Sequence, residues 1–157
     1  MDKLIKLKHT FGRAIITQYF GRTRFAELNS GYYPAGGHTG IDFGIPEGTP
    51  INATHDGIIV QDDDIDKSAK GIYIVIVDPK QLIATHYYHL NGNTVELGQN
   101  VRTGDVIGYS GSTGLSTAPH LHFGLCRVNA AWIRLDKDNG TNGFIDPLDK
   151  ELVKWKY

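Results

Sequence analysis

The run IYIVIV, residues 72–77, is apolar throughout and ends at Asp78-Pro79. Such a segment must be covered on both faces, which marks it as a central strand of a sheet. LIATHYYHL (82–90) follows after a short turn, so the two read as a hairpin. GIIVQ (57–61), DVIGYSG (105–111) and HLHFGLCRV (120–128) show the same strand character, each bounded by turn residues. Helical periodicity is weak, and only the amino-terminal segment and the end of the chain leave room for a helix. The pattern predicts an all-β domain, an antiparallel sheet or β-sandwich core. Long loops, between Phe20 and His38 and between Val128 and Phe144, flank a groove.

The 157 residues fit a single domain spanning 1–157. A net charge of −1 without a visible basic stripe gives no sign of nucleic acid or an anionic membrane as partner. The opening MDKLIKLKHTFGRAIITQYF is broken up by lysines, so it reads neither as a secretory signal nor as a membrane span. The expectation is a protein that works in the cytoplasm, leaves by lysis or another route, or belongs to a longer precursor. A lone cysteine, Cys126, makes no internal disulfide and reads as a small core residue. The acidic stretch Asp62 to Lys70 reads as a solvated loop, lacking the glycine and terminal glutamate of an EF-hand.

The seven histidines carry the chemistry. His9 reads as solvated and His55 as a turn residue. His120 and His122 stand two apart on a strand, so both face one side while Leu121 and Phe123 anchor the other. Such a pair can hold one metal, or one ring can ligate while the other handles protons; a solvated edge strand is the plain alternative. HTGIDF supplies His38 and Asp42 after a glycine-rich approach, and both residue types are ordinary zinc ligands. In HYYHL, His89 shares a strand face with Tyr87, and His86 points the other way. Two histidines and one carboxylate make a three-ligand set with a fourth position open to water, the arrangement of a catalytic zinc site. The remaining histidines suit proton transfer near neutral pH.

Together, HTGIDF, YYHL and STAPHLHF resemble the lysostaphin/LytM-type zinc endopeptidases, which cut the peptide part of bacterial peptidoglycan. The supporting turns FGRTR, PEGTPINATHDGIIV, LGQNVRTGDVIGYSGSTG and GFIDPLDKEL are also similar, so the likeness runs from about Thr17 to about Leu152, behind a short N-terminal extension. The resemblance implies one Zn2+ held by His38, Asp42 and His122. It implies His89 and His120 as catalytic histidines and Tyr32, beside Tyr33, as a stabiliser of the transition state. It also implies a catalytic groove, peptidoglycan as partner, and a chain expected to be monomeric that reaches the wall by lysis, on a virion or by secretion. The alternative is an inactive relative that scaffolds or activates other wall hydrolases; such proteins usually lack a ligand, and here every position is filled. A biotinyl-type carrier is disfavoured, because no lysine sits at a suitable hairpin tip.

Overall fold

The computed structural model describes residues 4–33, 36–63 and 68–157, apart from the side chains of Tyr32 and Asp63. Its elements in chain order are β1 (Ile5–Lys8), β2 (Ile15–Gln18), α1 (Arg24–Leu28), a 3-10 turn (Ser30–Tyr32), β3 (Ile41–Gly44), β4 (Pro50–Asn52) and β5 (Gly57–Asp63). They continue with β6 (Ile72–Asp78), β7 (Ile83–Asn93), β8 (Asn100–Val101), β9 (Val106–Ser110), β10 (Leu121–Arg127) and β11 (Val153–Lys156). The expected strands therefore form close to their expected limits, and the hairpin of β6 and β7 lies at the middle of the sheet. Much of the acidic stretch after Gln61 lies outside the described residues.

Nine strands make one antiparallel sheet, ordered β2-β3-β10-β7-β6-β5-β8, with β9 joining β7 to β4. Strand alternation sorts its side chains onto two faces. Ile41, Phe43, Ile74, Ile76, Ile83, Tyr87, Leu121, Phe123 and Leu125 point to one side and form the main apolar core. Tyr73, Val75, Val77, Ala84, Tyr88 and Cys126 point to the other, where a smaller cluster includes Phe144.

The ends of the chain depart from expectation. Neither is helical: β1 and β11 pair in parallel as a separate two-stranded ribbon, with Ile5 opposite Val153 and Leu7 opposite Trp155. Alternation explains this, since IKLK and VKWK each turn alternate residues inward, and Ile5, Leu7 and Val153 join the main core. The ribbon closes the core face. His9, expected to be solvated, packs its ring against Phe11, Phe43 and Trp155 and stacks on Tyr157. His55 is buried rather than an open turn residue: its Nδ1 meets the Asp56 carbonyl at 2.8 Å and its Nε2 the Thr85 hydroxyl at 2.9 Å.

The loop before β3 carries α1, capped by Thr23, whose Oγ1 accepts the Ala26 N–H at 3.1 Å. Cys126 is a buried core residue, with burial pushing its thiol up to about 11. Among the described residues, no helix is long and apolar enough to cross a membrane.

Candidate active site

The second face of the sheet opens into a groove of about 1110 Å³, and the proposed ligands meet there. Asp42 on β3 and His122 on β10 are direct cross-strand partners, so two adjacent strands bring their side chains together. His38 precedes β3 and is tied down by a two-way backbone pairing with Gly21, at 2.9 and 2.8 Å. Gly40 has no room for a side chain: a Cβ there would fall 2.8 Å from His122 Nε2 and collide with the Phe123 carbonyl. The glycine lets the chain pass close behind the His122 ring.

Three donor atoms converge. His38 Nε2 lies 2.9 Å from His122 Nδ1 and 3.1 Å from Asp42 Oδ1, and His122 Nδ1 lies 3.0 Å from the same oxygen. Bonds of about 2.0–2.2 Å around a tetrahedral ion give ligand-to-ligand edges of roughly 3.3–3.6 Å, so small shifts admit an ion. Burial alone would raise the Asp42 carboxyl, but the His122 and His38 nitrogens outweigh it and hold the group well below its usual range. Burial lowers the His122 pKa despite the nearby carboxylate, favouring the neutral ring that a ligand requires. Asp42, His38 and His122 are all buried. Their nitrogen and oxygen donors fit a divalent ion of borderline hardness.

Backbone carbonyls orient the other ring nitrogens. A carbonyl only accepts, so the Nδ1–H of His38 donates to Tyr19 O at 2.9 Å, that of His89 to Thr113 O at 2.8 Å and that of His120 to Ala118 O at 2.8 Å. In the neutral rings each Nε2 then carries a lone pair. This is the outer-shell arrangement of a ligating histidine for His38, and of a proton acceptor for His89 and His120. His120 Nε2 stands 3.8 Å from Asp42 Oδ2, and the His89 and His120 ring centres are 4.7 Å apart. Burial, reinforced by His120, lowers the His89 pKa to about 4, so the ring is neutral at pH 7.

His89 reaches this face through a feature that alternation does not predict. Between Tyr87 and Leu90, β7 holds one more residue than β6 does between Ile72 and Ile74, a bulge. His89 takes a left-handed conformation there, with φ of 63°, and its side chain swings into the groove. The expected division of HYYHL is therefore corrected. Tyr87 is wholly buried in the core, its hydroxyl bonded with Thr54 and Thr85, while His86 shares the groove with His89. Left-handed backbone at a non-glycine residue is strained and tends to be kept at functional positions.

Tyr88 was not foreseen at the site. Its ring stacks on His122, with centres 5.0 Å apart and planes 8° from parallel, and its hydroxyl meets His86 Nδ1 at 3.0 Å. Nothing in the sequence distinguishes it from its neighbour Tyr87. Tyr32 ends the 3-10 turn, and its side chain lies outside the described residues. Tyr33 stands edge-on to His38 at 5.8 Å and donates its hydroxyl to Gln18 Oε1 at 3.1 Å.

The sequence pattern of peptidase family M23 matches residues 36–137, which span His38, Asp42, His89, His120 and His122. The chain belongs to peptidase family M23. Among M23-like relatives, a glycyl-glycine endopeptidase of Staphylococcus capitis is 37% identical over 124 residues, 74% of this chain and 34% of that protein. A DD-carboxypeptidase/endopeptidase of Neisseria meningitidis is 46% identical over 88 residues, 55% of this chain and 19% of that protein. The chain thus spans about a fifth to a third of the length of these relatives. The catalytic domain of lysostaphin from Staphylococcus simulans superposes with a TM-score of 0.70 at 29% identity, covering 88% of this chain and 92% of that one. The β-rich antiparallel architecture is that of these M23 domains.

Proposed function

We propose that the chain is a single catalytic unit, a zinc-dependent endopeptidase that hydrolyses peptide bonds in the cross-links of bacterial peptidoglycan. One observation carries the reading: three buried donor atoms within 3.1 Å of one another, with His120 Nε2 3.8 Å from Asp42 and the His89 ring next to that of His120. His38 Nε2, Asp42 Oδ1 and His122 Nδ1 would hold one Zn2+. Bound there, the ion supplies Lewis-acid polarisation of the scissile carbonyl and lowers the pKa of water toward about 7.

The chain's own groups do the rest. His89 and His120 present Nε2 lone pairs for proton transfer; one accepts the proton of the attacking water, and that same proton then passes to the leaving amine, from that ring or relayed through the other. The carbonyls of Thr113 and Ala118 hold these rings in the required tautomer. Tyr88 keeps the His122 ring in place by stacking on it. The family resemblance gives the oxyanion-stabilising role to Tyr32; its neighbour Tyr33 commits its hydroxyl to Gln18. Ser116, Thr117 and Ala118 line the groove and give it a wall of small residues suited to an extended, small-residue peptide.

The relatives' names support a wall substrate: one is a glycyl-glycine endopeptidase, another a DD-carboxypeptidase/endopeptidase. The test is digestion of cell walls of defined cross-bridge chemistry, with and without a chelator, followed by mass spectrometry of the new amino termini. The expected result is cleavage within the cross-link that stops with the chelator. Chelator-resistant cleavage, or none on any wall, overturns the reading.

A further inference from the structure

The ribbon on the other side of the sheet carries a charge pattern that the peptidase reading leaves unused. β1 and β11 pair in register, with Lys6 beside Lys154 and Lys8 beside Lys156. Ile5, Leu7 and Val153 point into the core, so alternation turns all four lysines outward on one face. Like charges side by side on a sheet are unfavourable. Among the described residues, no carboxylate lies within 4.0 Å of any of these ammonium groups.

The ribbon borders a recess of about 530 Å³ in which Lys6, Lys8 and Lys156 are joined by Lys80. Two carboxylates also line it, and both are engaged. Asp56 Oδ1 accepts from the Thr103 N–H and hydroxyl at 2.7 and 2.8 Å. Asp78 accepts from the backbone N–H groups of Lys80 and Gln81 and from the Gln81 side chain. The groove and this recess share no lining residue.

The plain explanation is protection of an exposed edge, a common use of lysine on strands. It covers Lys154 and Lys156, because among the described residues β11 pairs only with β1. It does not cover Lys6 and Lys8, because the far edge of β1 is already occupied: Lys6 N–H donates to Gln81 Oε1 at 2.7 Å and Lys8 N–H to Thr54 O at 2.7 Å. The patch was invisible in the sequence because its halves lie at opposite ends of the chain.

We propose that this lysine ribbon is a docking surface for a phosphodiester-linked anionic polymer of the cell wall, holding the domain on its substrate while the opposite face cuts. The partner rests on the wall-hydrolase reading above; the surface does not. The face offers ammonium groups and no guanidinium, which suits point-charge attraction to successive phosphates rather than forked recognition of single carboxylates. Trp155 packs inward on Phe123, while Tyr157 stacks one ring face on His9 and is otherwise exposed at the end of the ribbon. The wall-hydrolase reading favours a wall phosphate polymer over single-stranded nucleic acid, and competition with DNA tests that choice.

The test uses the full chain and fluorescently labelled poly(glycerol phosphate), a phosphodiester-linked polymer without bases, with a single-stranded DNA of equal charge as competitor, at low and high salt. The wild type is expected to bind poly(glycerol phosphate), more weakly as salt rises, and in preference to the DNA. Combined Lys6→Gln, Lys8→Gln, Lys154→Gln and Lys156→Gln should weaken binding at least about tenfold, with unchanged cleavage of a soluble cross-bridge peptide. The same four positions changed to Arg should retain binding. Undiminished binding by the glutamine variant, no binding by the wild type at low salt, or a preference for DNA overturns the proposal. Poly(glycerol phosphate) binding without peptide cleavage would instead count against the hydrolase reading, so the two failures are distinguishable.

Discussion

The two faces of the central sheet are built from the same strands and could hardly differ more. On β10, Leu121, Phe123 and Leu125 are fully buried in the main core, while His122 between them looks into the groove. On β3, Ile41 and Phe43 face the core and Asp42 faces the groove. A period of two thus lets one short segment anchor itself and present a ligand, so that strong apolar packing on one side holds the polar groups on the other in place. The sheet breaks register at several places, and the groove face makes use of one of them, the bulge at His89.

That contrast is open to direct attack. The largest expected effect comes from removing a ligand. His122→Ala or Asp42→Ala should lose both bound metal, measured by elemental analysis, and wall-lytic activity, and remain folded because the core face is untouched. Next come His89→Ala and His120→Ala, which should retain the metal but lose about 10²–10⁴-fold in turnover. An unchanged rate in either would remove that ring from the proton chemistry.

A core-face change should act through stability instead. Phe123→Ala is expected to cost about 3–5 kcal/mol in urea unfolding, because its buried ring packs on Tyr87, Phe11 and Trp155. On the groove side, burial lowers the pKa of His86 well below 6.5, so the folded protein takes up fewer protons there than the unfolded chain. Stability should therefore decline as pH falls below about 6.5, and the urea midpoint at pH 5 should lie below that at pH 7.5. His86→Leu should flatten this dependence. The smallest effect is expected for Tyr88→Phe, which loses one hydrogen bond to His86, worth about 0.5–1.5 kcal/mol, and keeps the stacking on His122.

Much of this was legible from residue order. IYIVIV declared a central strand, and the His-x-His spacing placed two imidazoles on one side because alternation is a local rule. Asp42 and His122, distant in sequence, became neighbours only through the pairing of β3 with β10, which the resemblance anticipated and local pattern did not. The bulge at His89 was hidden because an extra residue in a strand has no compositional marker. The half-buried setting of His9 and the buried one of His55 depend on residues far away in sequence, Trp155 and Thr85 among them. The lysine ribbon was missed for the same reason.

The central claim is that one face of the sheet gathers His38, Asp42 and His122 around a single divalent ion and keeps His89 and His120 free of it. Zinc titration of chelator-stripped protein, followed by calorimetry, tests this most directly. One tight equivalent is expected in the wild type and in His120→Ala, and none in His122→Ala. Undiminished binding by His122→Ala, or no tight site in the wild type, would contradict it.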